Sequence, residues 1–402
     1  MLRLLRPIRK PLTRLRALPL LRTITRLGWT VAALGVIAWV GASLLDWEEL
    51  AVVAVACLAA TLGSLLFTFG RSHYEVDLEL QPKRVTVGER ASGRIVVRNP
   101  SGRRQLPGRM ELSVGVARAE FHIPSIAHGS EHDELFTVPT ERRAIIPVGP
   151  VLSVRGDPVG LCRVDKAWTG VEDLFVHPRI SPLDRLGSGL LKDLEGQTTQ
   201  DLSNSDVAFH TLREYSPGDD RRHIHWKTTA RLGKMMVRQF VDTRRSHLGL
   251  IVSTCEADYA NEEEFELAVS LAASLGVRTL RDEQTVAVVA GGKSLPSENS
   301  QRLLDAFAGI ELNGTAGNLH SGAIEANRTV SNASIVALAV GSAVSLADVR
   351  GAASRLATDA RLVVLRADIG GELSYRPVGT TAVINVPALD EFARGLWRAT
   401  QV

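Results

Sequence analysis

Two long apolar runs lie near the start of the chain, and neither contains a charged residue. The first covers 27–45 and the second 50–70, with the acidic turn Asp46-Trp47-Glu48-Glu49 between them. A helix needs about 20 apolar residues to cross the hydrocarbon core of a bilayer. The pattern therefore predicts a two-helix transmembrane hairpin at 28–70. A cleaved signal peptide and a pair of soluble core helices are the alternatives, and two runs of this length favour the hairpin.

Short segments of alternating apolar and polar residues follow the hairpin. Val76, Leu78 and Leu80 alternate with charged side chains, which is typical of a half-buried strand. Turn-forming pairs such as Gly149-Pro150 separate the later segments. Short strands without intervening helices favour an antiparallel β-sandwich domain at 74–180. Its further strands are predicted over 84–88, 93–99, 110–116, 134–139, 144–148 and 151–155.

The pattern changes again at about residue 247, where buried strands alternate with amphipathic helices. This alternation predicts a mainly parallel sheet covered by helices on both faces, an α/β domain over 247–402. The strands are expected over 247–254, 285–292, 333–341 and 360–368. The helices are expected over 262–282, 297–309, 345–356 and 389–400. The helix at 262–282 should bury one face, made of Phe265, Ala268, Leu271, Ala272 and Leu275.

The segment 209–246, between these two parts, is unusually rich in charged, aromatic and turn-forming residues. It follows a polar stretch at 181–208, which we interpret as an exposed linker. Ser216-Pro217-Gly218-Asp219 predicts a turn, a helix is expected to begin at 224, and a strand is expected over 234–240. The candidate binding residues of this segment are Arg213, Tyr215, Pro217, Gly218, Asp219, Arg221, Arg222, His225, Trp226, Lys227 and Arg231.

The distribution of charge adds an orientation and a candidate surface. The chain has 402 residues, which fits two or three domains, and a net charge of only +3. The segment 1–27 holds eight Lys and Arg and no acid, whereas 213–245 holds nine Lys and Arg against four acids. Positive residues flank membrane spans on the cytoplasmic side. We therefore expect 1–27, both termini and both folded domains to lie in the cytoplasm. Three cysteines suit a reducing compartment.

The charged segment resembles the domain of unknown function 58 family, which consists of bacterial proteins found beside MoxR-type AAA+ ATPases. The hallmark of this family is a Tyr-x-Pro-Gly-Asp turn followed by Arg, Ile, a Trp-Lys pair and an Ala-Arg pair. A second family feature is the run Asp157-Pro158-Val159-Gly160-Leu161. The matching hallmark residues are Tyr215, Pro217, Gly218, Asp219, Arg222, Ile224, Trp226, Lys227, Ala230 and Arg231.

This resemblance implies an architecture, a location and a partner. It implies two spans in the bacterial cytoplasmic membrane, a β module, the signature segment and a von Willebrand factor A-like α/β domain. It also implies a membrane-anchored partner of a MoxR-type ATPase and its client proteins, in complex assembly, maturation or envelope processes. The lipid bilayer is the other expected partner. A local charge of +5 on a net-negative body is weak for nucleic acid, so we expect none.

The residues that would hold a metal depart from the pattern of an A-domain. That pattern places Asp-x-Ser-x-Ser after the first strand, and its oxygens suit Mg²⁺. Here the first strand ends Ser253-Thr254-Cys255-Glu256 and the later one ends Gly341-Ser342, with Asp258 the nearest Asp. We therefore expect a degenerate site and no cofactor. His223 and His225 lack further ligands at metal-binding spacing.

Two interpretations of the signature residues remain open from the sequence. The acids Glu214, Asp219 and Asp220 could pair with the neighbouring arginines to fix a turn, with Trp226 as a core anchor. Alternatively, the basic face docks an acidic partner. No nucleophile elbow or P-loop occurs in the chain, so we expect a non-enzymatic scaffold. A metal-dependent hydrolase using Asp219, Asp220 and His225 is the alternative, and a metal-dependent adhesion module is another.

Overall fold

The computed structural model divides the chain into two compact units. One unit contains Met1–Glu141 and Ile145–Phe175, and the other contains Arg142–Ala144 and Val176–Val402. The basic segment expected at 1–27 lies outside the described residues up to residue 22. The residues that the structure describes are 23–68, 73–183, 202–203, 209–216, 221–241, 247–313, 328–329, 333–356, 360–378 and 381–400.

Two apolar helices open the described part of the first unit. Helix α1 covers Arg26–Leu45 and helix α2 covers Glu48–Leu66, and both are long and apolar enough to cross a membrane. The Thr25 hydroxyl caps α1 by accepting a hydrogen bond from the amide of Gly28 at 3.1 Å. Asp46 closes α1 in the left-handed conformation. Helix α2 ends four residues before the predicted end of the span.

The rest of the first unit is formed by strands. The pairs β1–β3, β3–β6, β4–β5, β4–β7 and β7–β8 are antiparallel. One sheet has the order β1-β3-β6, and the other has the order β2-β9-β7-β4-β5 with β8 on β7. We refer to these nine strands as the two-sheet module. The strands are β1 (Glu75–Gln81), β2 (Arg84–Thr86), β3 (Ala91–Arg98), β4 (Gly108–Val114), β5 (Ala117–Ile123), β6 (Glu131–Val138), β7 (Ala144–Gly156), β8 (Arg163–Ala167) and β9 (Glu172–His177).

The module differs from the predicted strands in one connection. The sequence predicts a turn at Gly149-Pro150, but β7 continues through this pair as one strand. Gly149 has φ of 104°, and a Cβ there would lie 2.5 Å from the carbonyl oxygen of Gly170. The partner strand β4 shifts its register between Leu112 and Val114 opposite this point. The glycine therefore serves a bend within the strand.

Three strands of the module were not predicted. Strands β5 and β8 bury few side chains, because among the described strands β5 pairs with β4 alone and β8 pairs with β7 alone. Such edge strands lack the apolar alternation that marks a half-buried strand. Strand β9 is different, since Leu174 and Val176 are buried. Its short Leu-Phe-Val run is the pattern from which this strand could have been predicted.

The second unit contains a seven-stranded sheet of order β15-β14-β13-β16-β17-β19-β18. The pairs β13–β14, β13–β16, β16–β17 and β17–β19 are parallel, whereas β15 and β18 lie antiparallel at the two edges. The mainly parallel sheet expected from the alternation is therefore present. Its strands are β13 (His247–Val252), β14 (Thr285–Ala290), β15 (Lys293–Leu295), β16 (Ile335–Val340), β17 (Arg361–Ala367), β18 (Ser374–Val378) and β19 (Thr381–Val386).

Helices cover both faces of this sheet. Leu248 and Leu250 pack in one buried cluster with residues of α4, α5 and α7, whereas Ile251 packs on the opposite face with residues of α6. Alternate residues of a strand point to opposite faces, so β13 is buried on both. The helices are α4 (Glu262–Arg281), α5 (Ser300–Ala308), α6 (Leu346–Ala353) and α7 (Phe392–Thr400).

Helix α4 buries more residues than the single apolar face predicted from the sequence. The five expected residues are buried, but so are Glu264, Ser270, Ser274 and Thr279. Ser274 and Thr279 donate their hydroxyls to carbonyls one turn back, at 2.6 and 2.9 Å. Small polar side chains can be buried when the helix itself satisfies them. Their polarity concealed this burial in the sequence.

Candidate functional site

A small sheet and one excursion make up the signature segment. The sheet has the order β10-β12-β11, with β10 at Leu202–Ser203, β11 at Phe209–Glu214 and β12 at Met236–Val241. Part of the predicted linker 181–208 is thus a strand. Between β11 and β12 lie a 3-10 turn at Arg221–His223 and helix α3 at Trp226–Leu232. The predicted helix and strand of the segment are confirmed.

The inner side of the excursion is fixed to strand β12. Ile224 and Val237 are buried and form an isolated β-bridge. The amide of His225 donates to the carbonyl of Met236 at 2.8 Å, and the amide of Met236 donates to the Thr229 hydroxyl at 3.0 Å. The amide of Tyr215 donates to the carbonyl of Met235 at 2.8 Å. Backbone contacts therefore set the orientation of α3.

His225 caps helix α3. Its Nδ1 lies 2.8 Å from the hydroxyl of Thr228 and accepts the amide hydrogen of Thr228 at 3.3 Å. A capping acceptor satisfies one of the unpaired amides at a helix start. Nδ1 is therefore committed to the backbone, and His225 has a structural role in this excursion.

The outer side of the excursion presents a tryptophan among cations. Trp226 is 67% exposed. Residues four apart share a helix face, so Trp226 and Ala230 lie beside Lys227 and Arg231, and all are exposed. Arg221 and Arg222 in the preceding turn are exposed as well. We call Arg221, Arg222, Trp226, Lys227 and Arg231 the outer face. The interpretation of Trp226 as a core anchor is wrong, because the Trp226 side chain is exposed. The buried residue of the excursion is Ile224, which forms a bridge with Val237 of β12.

The remaining predicted residues lie to one side of this face. Arg213 is half-buried on β11 and donates to the carbonyl of Glu214 at 3.0 Å. Glu214 pairs with Lys234, with 2.7 Å between Oε1 and Nζ. This pair differs from the arginine pairs considered from the sequence. Pro217, Gly218, Asp219 and Asp220 lie outside the described residues.

Two exposed apolar residues extend the outer face and were not predicted. Leu232 ends helix α3, and Met235 precedes β12. Their apolar character was visible in the sequence. Only the placement of α3 on β12 separates them from buried residues such as Ile224.

A second candidate site is the crevice where the strand order of the parallel sheet reverses. Ligands of open α/β sheets bind outside the carboxyl ends of the strands at such a point. Here the ends of β13 and β16 meet. The Ser253 hydroxyl donates to Asp258 at 2.5 Å, and the Tyr259 hydroxyl donates to the carbonyl of Ser253 at 2.6 Å. A Cβ on Gly341 would lie 2.5 Å from Cδ1 of Tyr259. Tyr259 thus fills the crevice.

A buried carboxylate joins the two strand ends. Glu264 is 2% exposed. It accepts hydrogen bonds from the amide of Ser342 at 3.0 Å, from the hydroxyl of Ser342 at 2.7 Å and from the amide of Ala260 at 3.0 Å. Arg366 also donates to the carbonyl of Ser342. Glu264 was missed from the sequence, although Asn261 three residues earlier forms a capping pair with it.

The donor set of the crevice does not fit an octahedral Mg²⁺ site. Mg²⁺ requires several oxygen ligands that face one centre, whereas these oxygens accept hydrogen bonds from the chain itself. Burial, reinforced by the nearby charge of Asp348, raises the pKa of Asp258 despite the hydrogen bond from Ser253. Within the described ranges, no group of three or more His, Cys, Asp or Glu side chains could hold a metal ion.

Comparison with known proteins confirms the family resemblance of the signature. Residues 211–366 match the model of the family described as protein of unknown function DUF58. The uncharacterized protein YeaD of Bacillus subtilis (strain 168) is 27% identical over 140 residues, which are 34% of this chain and 34% of that protein. The chain therefore spans about a third of the length of the curated relative it matches.

Similar solved structures include two that are distant in sequence. The crystal structure of the CARDB domain of the PF1109 protein from Pyrococcus furiosus, in complex with di-metal ions, is 12% identical with a TM-score of 0.20. It covers 26% of this chain and 87% of that chain. A β-glucosidase from Listeria innocua in complex with isofagomine is 15% identical with a TM-score of 0.18, and covers 27% of this chain and 17% of that chain.

Proposed function

We propose that this chain, a member of the DUF58 family through residues 211–366, is a membrane-anchored, non-enzymatic adaptor. Its cytoplasmic domains bind a MoxR-type AAA+ ATPase and the client proteins of that ATPase. The work it supports is complex assembly, maturation or an envelope-related process. The observation that carries this proposal is the outer face, where an exposed tryptophan lies among cations on a helix whose inner side is fixed.

The anchor in this proposal is the hairpin of α1 and α2. Large apolar side chains along both helices are exposed, among them Ile37, Leu44, Leu62 and Leu66. A pair of soluble core helices would bury such side chains. The basic residues before α1 and the acidic turn after it support spans with both termini in the cytoplasm. A reporter fused to the C-terminus should be active only in its cytoplasmic form.

The architecture in this proposal includes a von Willebrand factor A-like domain. Three features support it: the place of β13 inside the sheet between β14 and β16, the reversal of strand order between β13 and β16, and the short antiparallel edge strand β15. The proposed β-sandwich is the two-sheet module. Both are binding-type architectures, so the function has to be argued from surfaces.

The outer face has the composition of an interaction surface. Trp and Arg are enriched among the residues that dominate binding energy at protein interfaces. Arginine offers a planar set of donors to carboxylates and stacks on aromatic rings. An acidic surface of the ATPase with an apolar pocket for Trp226 would match this face.

The two metal-dependent alternatives are less well supported. A hydrolase at the signature would need His225, but Nδ1 of His225 caps helix α3. An adhesion module would need the crevice of the parallel sheet, where Glu264 and Asp258 accept hydrogen bonds from Ser342 and Ser253. We therefore propose no chemical step for either.

The experiment is co-purification of the full chain, in detergent, with a MoxR-type ATPase from the same organism. Trp226→Ala should remove most of the bound ATPase. Trp397→Ala is the matched control, because Trp397 is also exposed, at 56%, and lies on α7 of the same unit. Equal retention of the ATPase by both variants would overturn the docking role of Trp226.

A second pair of variants tests the cations of the face. Arg221→Gln, Arg222→Gln and Lys227→Gln together should abolish co-purification, and co-purification of the native chain should weaken as the salt concentration rises. Arg302→Gln, Arg350→Gln and Arg355→Gln remove the same charge elsewhere in the unit and should leave binding intact. Loss of binding in both sets would indicate a general charge effect and not a docking face.

A further inference from the structure

One loop of the two-sheet module holds the start of helix α1. The amide of Thr25 donates to the carbonyl of Leu161 at 2.9 Å, and the amide of Arg163 donates to the carbonyl of Thr23 at 2.7 Å. The Thr25 hydroxyl donates to the carbonyl of Gly160 at 2.7 Å. Gly28 allows this approach, because a Cβ there would lie 2.2 Å from the Leu161 carbonyl oxygen. We call residues 157–162 the clamp loop.

Asp157 gives the clamp loop its shape. Its carboxylate accepts the amides of Val159 at 3.0 Å, Leu161 at 3.1 Å and Cys162 at 2.6 Å. Burial alone would raise the pKa of Asp157, but the amides of Cys162 and Leu161 and the hydroxyl of Ser64 lower the pKa below its ordinary value. Ser64 belongs to the last turn of α2. The clamp loop therefore contacts the adjoining ends of both helices.

This contact fixes the position of Val159 along the hairpin. Residues of α1 after Arg26 carry no charge until Asp46, so the clamped residues lie where a spanning helix would leave the hydrocarbon core. The headgroup layer on each side of that core is on the order of 5–8 Å thick. Val159 is two residues from Leu161, within about 7 Å along the backbone. Its side chain is 68% exposed.

Strand register places a second exposed apolar residue at the same end of the module. Arg109 on β4 faces Val154 on the antiparallel strand β7, and Gly156 ends β7 just before the clamp loop. Leu106 precedes β4, so it lies at this end as well, and it is 78% exposed. The Tyr74 hydroxyl donates to its carbonyl at 3.4 Å.

Two cations lie in the loop that carries Leu106. Arg103 and Arg104 are exposed, and neither forms an ion pair with the part of the chain that the structure describes. The buried amide of Asn99 donates to the carbonyls of Arg103 at 2.8 Å and Ile126 at 3.0 Å. The side chain of Asn99 thus holds the backbone of the loop, while the side chains of Arg103, Arg104 and Leu106 are exposed.

We propose that Arg103, Arg104, Leu106 and Val159 form a contact surface for anionic lipid headgroups. This inference rests on the proposed transmembrane hairpin and adds a second membrane contact, made by the folded module. Leu106 and Val159 enter the headgroup layer, and the two arginines meet the lipid phosphates. Exposed apolar residues beside cations are typical of surfaces that bind anionic leaflets.

A lipid fits this surface better than a protein because of where the surface lies. The clamp loop is joined to the helix ends by backbone hydrogen bonds, so any spanning hairpin brings Val159 to the bilayer surface. The opposite end of the module offers a comparison. Val116, in the turn between β4 and β5, is fully exposed there, and Arg90, which precedes β3, is exposed as well.

The experiment places nitroxide labels on the full chain in vesicles of phosphatidylglycerol and phosphatidylcholine. Labels are attached at Val159→Cys, Leu106→Cys, Val116→Cys and Ile37→Cys in a Cys57→Ala, Cys255→Ala background, while the buried Cys162 is retained. Collisions with oxygen report lipid, and collisions with an aqueous nickel complex report water. Positions 159, 106 and 37 should favour oxygen, and position 116 should favour nickel.

The outcomes separate this inference from the anchor. A bilayer signal at 37 together with water signals at 159 and 106 would overturn the lipid surface and leave the hairpin intact. A water signal at 37 would overturn the hairpin as well. Exclusion of both reagents at 159 and 106 would indicate a protein contact and would also overturn the proposal.

The role of charge is tested with a matched pair of arginines. Arg104→Ala should reduce the oxygen preference at position 159 in phosphatidylglycerol vesicles, and the reduction should disappear in pure phosphatidylcholine. Arg90→Ala removes the same charge at the other end of the module and should change neither. Equal effects of the two variants would show that net charge, and not this surface, governs the contact.

Discussion

The crevice of the parallel sheet and the outer face of helix α3 use polar residues in opposite ways. In the crevice, Glu264 accepts hydrogen bonds from Ser342, and Asp258 accepts one from Ser253. On the outer face, Trp226 and Lys227 are exposed on helix α3, whose inner side contacts strand β12. The crevice, where a parallel sheet usually binds ligands, is filled by side chains of the chain itself. The exposed candidate binding surface lies instead on the signature segment, at the outer face of helix α3.

The crevice should be essential for stability, and Glu264 should matter most. Glu264→Ala removes the acceptor of the part-buried Ser342 amide and hydroxyl and of the Ala260 amide, and a buried group left unpaired costs about 1–3 kcal/mol. We expect a loss of about 3 kcal/mol in the free energy of local opening. Hydrogen exchange of the β13 and β16 amides measures it.

Glu263→Ala is the control for this variant. Glu263 also lies in the first turn of α4, so it has the same favourable position near the helix start, but it is exposed. Its removal should cost about 0.5 kcal/mol or less. Equal costs at the two positions would mean that the crevice network is dispensable.

The inner side of the excursion should be the stabilising part of the signature. Ile224 is buried against Val237. Removing most of an isoleucine side chain from a packed site costs about 2 kcal/mol or more. Ile224→Ala should therefore speed exchange of the Met236 amide, whereas Leu232→Ala, at an exposed position, should not. The reverse result would contradict the assignment of inner and outer sides.

His225 should contribute through its capping bond. His225→Ala should cost about 1 kcal/mol in the stability of α3, because a capping acceptor is lost. Asn is a good capping residue, so His225→Asn should restore the stability within a few tenths of a kcal/mol. Hydrogen exchange of the Thr228 amide reports both variants. A failure of Asn to rescue would indicate that the imidazole ring has another role.

Much of the fold was predictable because burial leaves a period in the sequence. The strand at Thr285–Ala290 and the helix at Glu262–Arg281 differ from their predicted ends by no more than two residues. Edge strands such as Ala117–Ile123 were missed, since their exposed faces carry no apolar pattern. The bend at Gly149 was taken for a turn, because a glycine inside a strand and a glycine in a turn look alike in sequence.

The candidate site was predictable in composition and not in geometry. The signature residues were visible as a charged cluster, but the sequence left Trp226 open as a core residue or a surface residue. Whether Trp226 is buried or exposed depends on which side of helix α3 contacts β12. Ile224 and Thr229 make that contact, and a contact between two elements leaves no pattern in the sequence. Glu264 was overlooked because a glutamate in the first turn of a helix is ordinarily exposed.

The pH dependence of the crevice has a defined sign. Burial raises the pKa of Asp258 above its ordinary value, so the folded state binds this proton more tightly than the unfolded state does. Its contribution is fully present below the ordinary aspartate pKa and is lost as the pH rises through the raised value. Asp258→Asn lacks this loss, so its stability relative to the native chain should increase between acidic and neutral pH. Urea unfolding followed by circular dichroism, at several pH values, measures the difference.

The smallest effect on stability is expected at the most prominent residue of the outer face. Trp226→Ala removes a large side chain, but its ring is 67% exposed, so little packing is lost. Surface substitutions of this kind change stability by about 0.5 kcal/mol or less. Hydrogen exchange of the Met236 amide should therefore match that of the native chain, even though binding of the ATPase falls. If Trp226→Ala instead opens the excursion as far as Ile224→Ala does, the tryptophan is a structural residue and the outer face is no docking surface.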